Sequence, residues 1–236
     1  KPLFHRRARG LALTDAGRSY HAEIFRALQI ITDATRQFTE LTTVTLSITP
    51  SIASKWLMPK LPQLIETHTE IDLKIHASEQ RTDLMRGDAN LAIRQGPPPQ
   101  DAALEAILLS PISYVAVASP QTDAKNLELA DILAHRLIQD SHGHWDTLCK
   151  DFDLPPLKAT LNVNQTALAL DAAASGQGIA LAPRLLAQDA LDAGNLQAVW
   201  QDTRATDHGF FILYPKERAS EETIKVAKWL AAQAAI

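Results

Sequence analysis

The residues best suited to chemistry fall in a few short stretches. "SHGHWDTLC" (141–149) brings His142, His144 and Cys149 close together, two imidazoles and a thiol that are all transition-metal ligand types. Their spacing follows no zinc pattern and no second cluster accompanies them, so a polar loop with Trp145 packed beneath it is the better reading and no metal is expected. Catalytic signatures are missing as well: there is no Gly-x-Ser-x-Gly elbow, no phosphate-binding glycine loop and no His-Glu-x-x-His. The glycines of "ASGQGIA" (174–180) follow a helix pattern and precede a strand pattern, the reverse of a dinucleotide-binding turn. Gly176 instead suits a helix C-cap. Neither an enzyme nor a cofactor is expected.

Three other stretches suit ligand binding. "TPSIASKW" (49–56) sets Ser51 and Ile52 at the start of a helix, where free N–H groups and the helix dipole favour an anion. Ser51 could equally do no more than support the first helical turn. "AIRQG" (92–96) ends a strand with Arg94 and Gln95, which face either a cleft or, for Arg94, a salt-bridge partner in the same lobe. "NVNQT" (162–166) presents Asn164, Gln165 and Thr166 just before an alanine-rich helix that Thr166 could simply cap.

These stretches need elements to hold them. "TVTLSIT" (43–49) alternates as a strand, 50–68 reads as a helix with Pro50 in its first turn, and strands then alternate with helices to the closing helix at 220–235. Such alternation makes a mostly parallel sheet covered on both faces. Residues 43–236 are many for one such sheet, so two lobes are expected, with ligands at the carboxyl ends of the strands. No apolar run approaches the length that spans a bilayer, and no apolar segment follows the basic start as in a signal peptide. The single cysteine, Cys149, fits a reducing compartment, so a cytoplasmic protein with no membrane partner is expected.

The charge is uneven. The chain carries a net −4, yet residues 1–20 hold five Lys and Arg against Asp15 alone. His5, Arg6, Arg7 and Arg9 cluster in "PLFHRRARGLALTDAG" (2–17), a hairpin-like stretch, and a basic tip on an acidic body suits a local polyanion contact, with a merely solvated basic terminus as the alternative. Thr14 then caps a long helix. Tyr20, Ile24, Ala27, Ile31, Ala34, Phe38 and Leu41 recur in alternating steps of four and three, a heptad seam on a rod of about 40 Å. A narrow seam on a lone rod calls for a partner helix from a second copy; packing on its own body is the alternative.

"PLFHRRARGLALTDAGRSYHAEI" (2–24), "SIASKWLMPKLPQLIETHTEIDLKI" (51–75), "DANLAIRQG" (88–96), "AAASGQGIALAP" (172–183) and the closing "WL" (229–230) resemble the LysR-type transcriptional regulators, in order and over essentially the whole chain. The nearest pattern is the subgroup of glycine-cleavage activators and β-lactamase regulators. The resemblance implies an α/β fold: a two-lobed effector domain like type 2 periplasmic binding proteins, behind a linker helix and a remnant of a winged helix-turn-helix. Its divisions would be a wing remnant at 1–13, a dimerisation helix at 14–42, lobe I at 43–117 and 208–236, and lobe II at 118–207, with crossings near Ser119 and Asp207. The recognition helix that lies upstream of the wing in such proteins is not in this sequence.

By the same resemblance, Arg6, Arg7 and Arg9 would approach operator DNA, and Ile24, Ala27, Ile31, Phe38 and Leu41 would join two copies into a homodimer or homotetramer. Ser51, Ile52, Arg94, Gln95, Asn164, Gln165, Thr166 and Phe210 would surround a small effector, anionic if the helix terminus dominates. Phe210 matches a position that is often Tyr in the subgroup, which makes that side of the pocket more apolar. Effector binding would alter DNA bending and, indirectly, RNA polymerase recruitment. The competing readings are a solute-binding protein that serves a transporter and an enzyme of the same fold. The arginine-rich wing and the heptad rod weigh against the first, and the missing catalytic constellation against the second.

Overall fold

The computed structural model describes residues 1–7, 10–36, 41–124, 127–155, 157, 161–204 and 206–234. Strands β1 (Phe4–Arg7) and β2 (Gly10–Leu13) form an antiparallel hairpin in which Arg6 pairs with Leu11. Thr14 ties this hairpin to helix α1 (Asp15–Arg36): its hydroxyl donates to the Pro2 carbonyl at 2.9 Å and accepts the Gly17 N–H at 2.9 Å, an N-cap on a first-turn donor. Tyr20, Ile24, Ala27 and Ile31 all stand exposed along α1. So do Phe25, Leu28 and Ile30, which lie off the expected seam and widen the apolar surface. Phe38 lies outside the described residues. Leu41 is exposed but is not helical, because β3 (Thr42–Ile48) opens right after it. The seven-residue pattern thus includes one described residue, Leu41, that is not part of the rod.

The first sheet has the order β4-β3-β5-β12-β6. Val44, Leu46 and Ile48 alternate along β3 and are fully buried. From β3 the chain enters a continuous helical run made of α2 (Pro50–Ile52), a π turn (Ala53–Leu57), a 3-10 turn (Met58–Lys60) and α3 (Leu61–Thr67). The run changes pitch where Pro59 and Pro62 remove backbone donors. Strand β4 (Ile71–Ala77) is the sheet edge, and β5 (Leu91–Gly96) follows a short 3-10 turn at Leu84–Arg86. Both β4 and β5 run parallel to β3, whereas β6 (Leu104–Pro111) and β12 (Gly209–Pro215) run antiparallel to one another, with β12 also antiparallel to β5.

The second sheet has the order β11-β7-β10-β8-β9. Its strands are β7 (Tyr114–Ala118), β8 (Leu137–Gln139), β9 (Leu161–Asn162), β10 (Ile179–Pro183) and β11 (Gln197–Gln201). Between them run α4 (Leu129–Ile132), α5 (His144–Asp151), α6 (Thr166–Ala174) and α7 (Arg184–Asp192). The chain returns to the first sheet through β12 and closes with α8 (Glu221–Ala232), whose N-cap Ser220 accepts from Thr223 N–H. The first crossing between sheets runs over 112–113, ahead of the expected place near Ser119, because β7 already bonds to β10 and β11. The second crossing lies between the end of β11 and the start of β12, close to the expected Asp207.

One apolar core joins the sheets. Ile52, Ala53, Trp56 and Leu57 of the first helical run pack with Ala169, Leu170, Ala173 and Leu186 of α6 and α7. Alanines on α6 let the two helical layers approach closely. Gly176, at φ +74, ends α6: the Gly176 and Gln177 N–H groups return to the Ala173 and Ala172 carbonyls at 3.0 Å. At Gly178 a Cβ would lie 2.5 Å from the Arg136 carbonyl, so only glycine fits there. A second core, around Ile132, Trp145, Leu148 and Leu181, fills the opposite face of the second sheet.

Candidate functional site: the cleft between the sheets

The carboxyl ends of β3 and β5 and the amino end of α6 converge on an open cavity of about 370 Å³. From the first sheet come Ser51, Ile52, Arg94, Gln95 and Phe210; from the second comes Thr166. These are six of the eight residues expected to surround a ligand. Gln165 is next to the cavity and bonds to Ser51, while Asn164 is not part of the lining: its carbonyl accepts the Ser141 hydroxyl at 2.9 Å and holds the rim loop instead. Glu79, Arg81, His142, Leu186 and His208 also line the space. Glu79 and Arg81 were not among the expected residues: they sit in an irregular segment after β4 with no periodic signal to single them out.

Ser51 does more than support its own helix. Buried at 4% exposure, its hydroxyl donates to Gln165 Oε1 at 3.2 Å and accepts the Ala167 N–H at 3.1 Å. A residue of the first helical run therefore caps α6 in the other lobe. Lys55–Asp171 and Lys60–Asp189 pairs, the second at 3.1 Å, reinforce the same contact at the surface. Thr166 donates its hydroxyl to Asp140 at 2.6 Å rather than capping its own helix. Asp140 also accepts the His142 N–H at 3.1 Å.

Arg94 is fixed by its own lobe, through hydrogen bonds rather than the salt bridge that was the alternative to a cleft-facing role. Its guanidinium donates to the Ser47 carbonyl at 3.0 Å, the Ile93 carbonyl at 2.8 Å, and the hydroxyls of Ser47 and Thr82. It has no carboxylate partner among the described residues. Half-burial lowers its pKa from the ordinary value, with Glu79 opposing that shift and Arg81 adding to it. The cavity floor thus holds a positive charge that no anion cancels at contact. Phe210, 1% exposed, gives the apolar wall.

The rim segment differs from the expected loop. His144 begins α5, and Trp145 is buried with its indole donating to the Ile138 carbonyl at 3.0 Å. His142 and His144 stack with ring centroids 5.3 Å apart, and Tyr114 lies 4.6 Å from His144. Burial pushes the His144 pKa down against the pull of Asp140. Burial also pushes up the Cys149 thiol, the reverse of what a reactive cysteine needs. Among the described residues no group of three His, Cys, Asp or Glu side chains is placed to hold a metal. An adjoining cavity of about 400 Å³ lies along both crossings, against Tyr114, His144, Asp202 and Arg204.

Two five-stranded lobes tied by a crossing pair, with a polar cavity between them, define a two-lobed ligand-binding domain of the type 2 periplasmic-binding-protein kind. The LysR substrate binding domain family matches residues 39–235, and the chain belongs to the LysR-type transcriptional regulators. It is 30% identical to the glycine cleavage system transcriptional activator of Escherichia coli K12, over 99% of this chain and 79% of that one. It is 28% identical to the HTH-type transcriptional regulator TrpI of Pseudomonas aeruginosa, over 99% and 82%. Its fold is similar to the effector domain of AmpR from Pseudomonas aeruginosa, with a TM-score of 0.65 at 24% identity over 82% of this chain and 96% of that one. It is also similar to CrgA from Neisseria meningitidis, with a TM-score of 0.68 at 18% identity over 100% and 85%. The relatives are DNA-binding transcriptional regulators, so the solute-binding reading falls away. No helix among the described residues is long and apolar enough to cross a membrane.

Proposed function

We propose that the cleft between the sheets binds a small effector through an anionic group such as a carboxylate, and that binding sets how the lobes are placed and thereby the regulator's action on DNA. The observation that carries this reading is the charge of the cavity. Arg94 is held there without a contacting carboxylate, and Arg81 lines the same space with no ion pair among the described residues. The first-turn N–H groups at Ser51 and Ile52 add to the positive potential. An effector changes the lobe arrangement only through unequal affinity for two arrangements. The Ser51 tie and the Lys55 and Lys60 pairs are the contacts such a change would remake.

The hairpin and α1 complete this reading. Arg6 is exposed on β1, Arg7 ends that strand, and Arg9 lies outside the described residues. These arginines would contact operator phosphates or the minor groove. Ile24 and Ala27, exposed on α1 with Tyr20, would pair with a second copy as dimer or tetramer. RNA polymerase would sense the change through the DNA, and the protein would work in the cytoplasm. The test is a thermal-shift screen of small carboxylates, amino acids included, against the parent and Arg81→Ala. Acids that raise the melting temperature of the parent but not of the variant support the reading. If no acid stabilises the parent, or the variant responds equally, the reading is overturned.

A further inference from the structure

The cavity is not simply positive. Glu79 lines it beside Arg81, both are exposed, and neither makes an ion pair among the described residues. Glu79 is near enough to influence Arg94 electrostatically, but it does not form a contact pair with it, and Arg94 is already satisfied by acceptors of its own lobe. The cleft therefore presents one carboxylate with unused acceptor capacity and, against it, Arg81 and two first-turn N–H groups with unused donor capacity.

A simple carboxylic acid satisfies the donors and leaves Glu79 repelling it. A simple amine satisfies Glu79 and faces two guanidinium groups. A ligand with both charges close together satisfies both sets. We infer that the effector is an α-amino acid, its carboxylate held by Arg81 and the start of the first helical run and its ammonium by Glu79. The rest of the wall is mixed: Ile52, Leu186 and Phe210 offer an apolar patch to the ligand's side chain, beside polar Gln95, His142 and His208. This inference rests on the cleft being the effector site, as proposed above.

The test is calorimetric titration with glycine, L-leucine, L-phenylalanine and L-glutamate, each beside its counterpart without the amino group: acetate, 4-methylpentanoate, 3-phenylpropanoate and glutarate. At least one amino acid is expected to bind at least about tenfold more tightly than its matched acid. Glu79→Gln is expected to remove that advantage while leaving the acid's affinity unchanged or improved. Because Glu79 is exposed and has no contact partner, the variant should fold as the parent does. If every acid binds as well as its amino acid, or Glu79→Gln leaves amino-acid binding intact, the inference is overturned while the anionic-effector reading stands. If neither amino acids nor acids bind, both are overturned.

Discussion

The hydroxyl of Ser51 crosses from one lobe to the other, so Ser51→Ala should weaken the whole two-lobed body and not only its own helix. The substitution deletes the hydrogen bond to Gln165 and removes the acceptor of the Ala167 N–H. A protein hydrogen bond contributes about 0.5–1.5 kcal/mol net, and losing a helix cap costs about 0.5–2 kcal/mol. Because Ser51 is 4% exposed, water does not replace the lost oxygen without rearrangement. The expected destabilisation is about 1–3 kcal/mol, or roughly 2–10 °C of melting temperature for a chain of this size. Guanidinium unfolding followed by tryptophan fluorescence measures it, since Trp56 and Trp145 sit in the two cores. Gln165→Ala alone should cost less, because the Ala167 bond survives. The double variant should fall short of additivity by about 0.5 kcal/mol or more, as residues in contact do. A Ser51→Ala loss below about 0.5 kcal/mol, with strict additivity, would falsify the inter-lobe tie.

Three further perturbations probe other parts of the molecule. Ile24→Asp puts a charge on the exposed face of α1 and should give monomers in analytical ultracentrifugation where the parent dimerises; an unchanged oligomer removes the pairing role of that face. Burial keeps the His144 pKa below its ordinary value, so protonation favours the unfolded chain and stability falls as pH drops below about 6.5. His144→Phe should flatten the stability curve between about pH 7 and 5, and an unaltered slope contradicts this assignment. Hydrogen bonds from Arg204, the shortest 2.7 Å, hold the Asp202 carboxyl below the usual range. Asp202→Asn should therefore cost about 1–2 kcal/mol at neutral pH, discounted for the half-exposed Arg204, and the gap from the parent should narrow below about pH 4 as the parent's carboxylate is protonated. A gap that stays constant into acid means the ion pair contributes nothing.

Much of the fold was legible because it depends on periodicity. The alternation of Val44, Leu46 and Ile48 marks a strand wherever it is found, and Pro50 with Ser51 marks a helix start. The sequence order of elements also implied two lobes. The first crossing was misplaced because β6 and β7 form one long apolar run, and only sheet pairing shows which strand belongs where. The end of the rod was misplaced for a similar reason: Leu41 continues the heptad spacing, yet backbone pairing draws the next residue into β3.

The cleft was partly legible. Ser51, Arg94 and Thr166 were found from their positions at element ends, but their partners depend on residues far away in sequence. Ser51 meets a turn more than a hundred residues downstream, and Thr166 binds Asp140, which follows the end of β8. Glu79 and Arg81 lacked any pattern, since an exposed charged loop looks the same whether it lines a cavity or faces bulk solvent.

Whether the cleft is the effector site is read most directly from a two-dimensional amide NMR titration of the isotope-labelled chain with L-leucine and 4-methylpentanoate. The largest shifts are expected at Ser51, Ile52, Gly96 and Thr166, the backbone groups around the cavity of about 370 Å³. Smaller shifts should spread along 112–113 and 202–208, where the chain passes between the lobes. Shifts centred away from this cleft, or none with either ligand up to millimolar concentration, would mean that the cleft does not bind the effector.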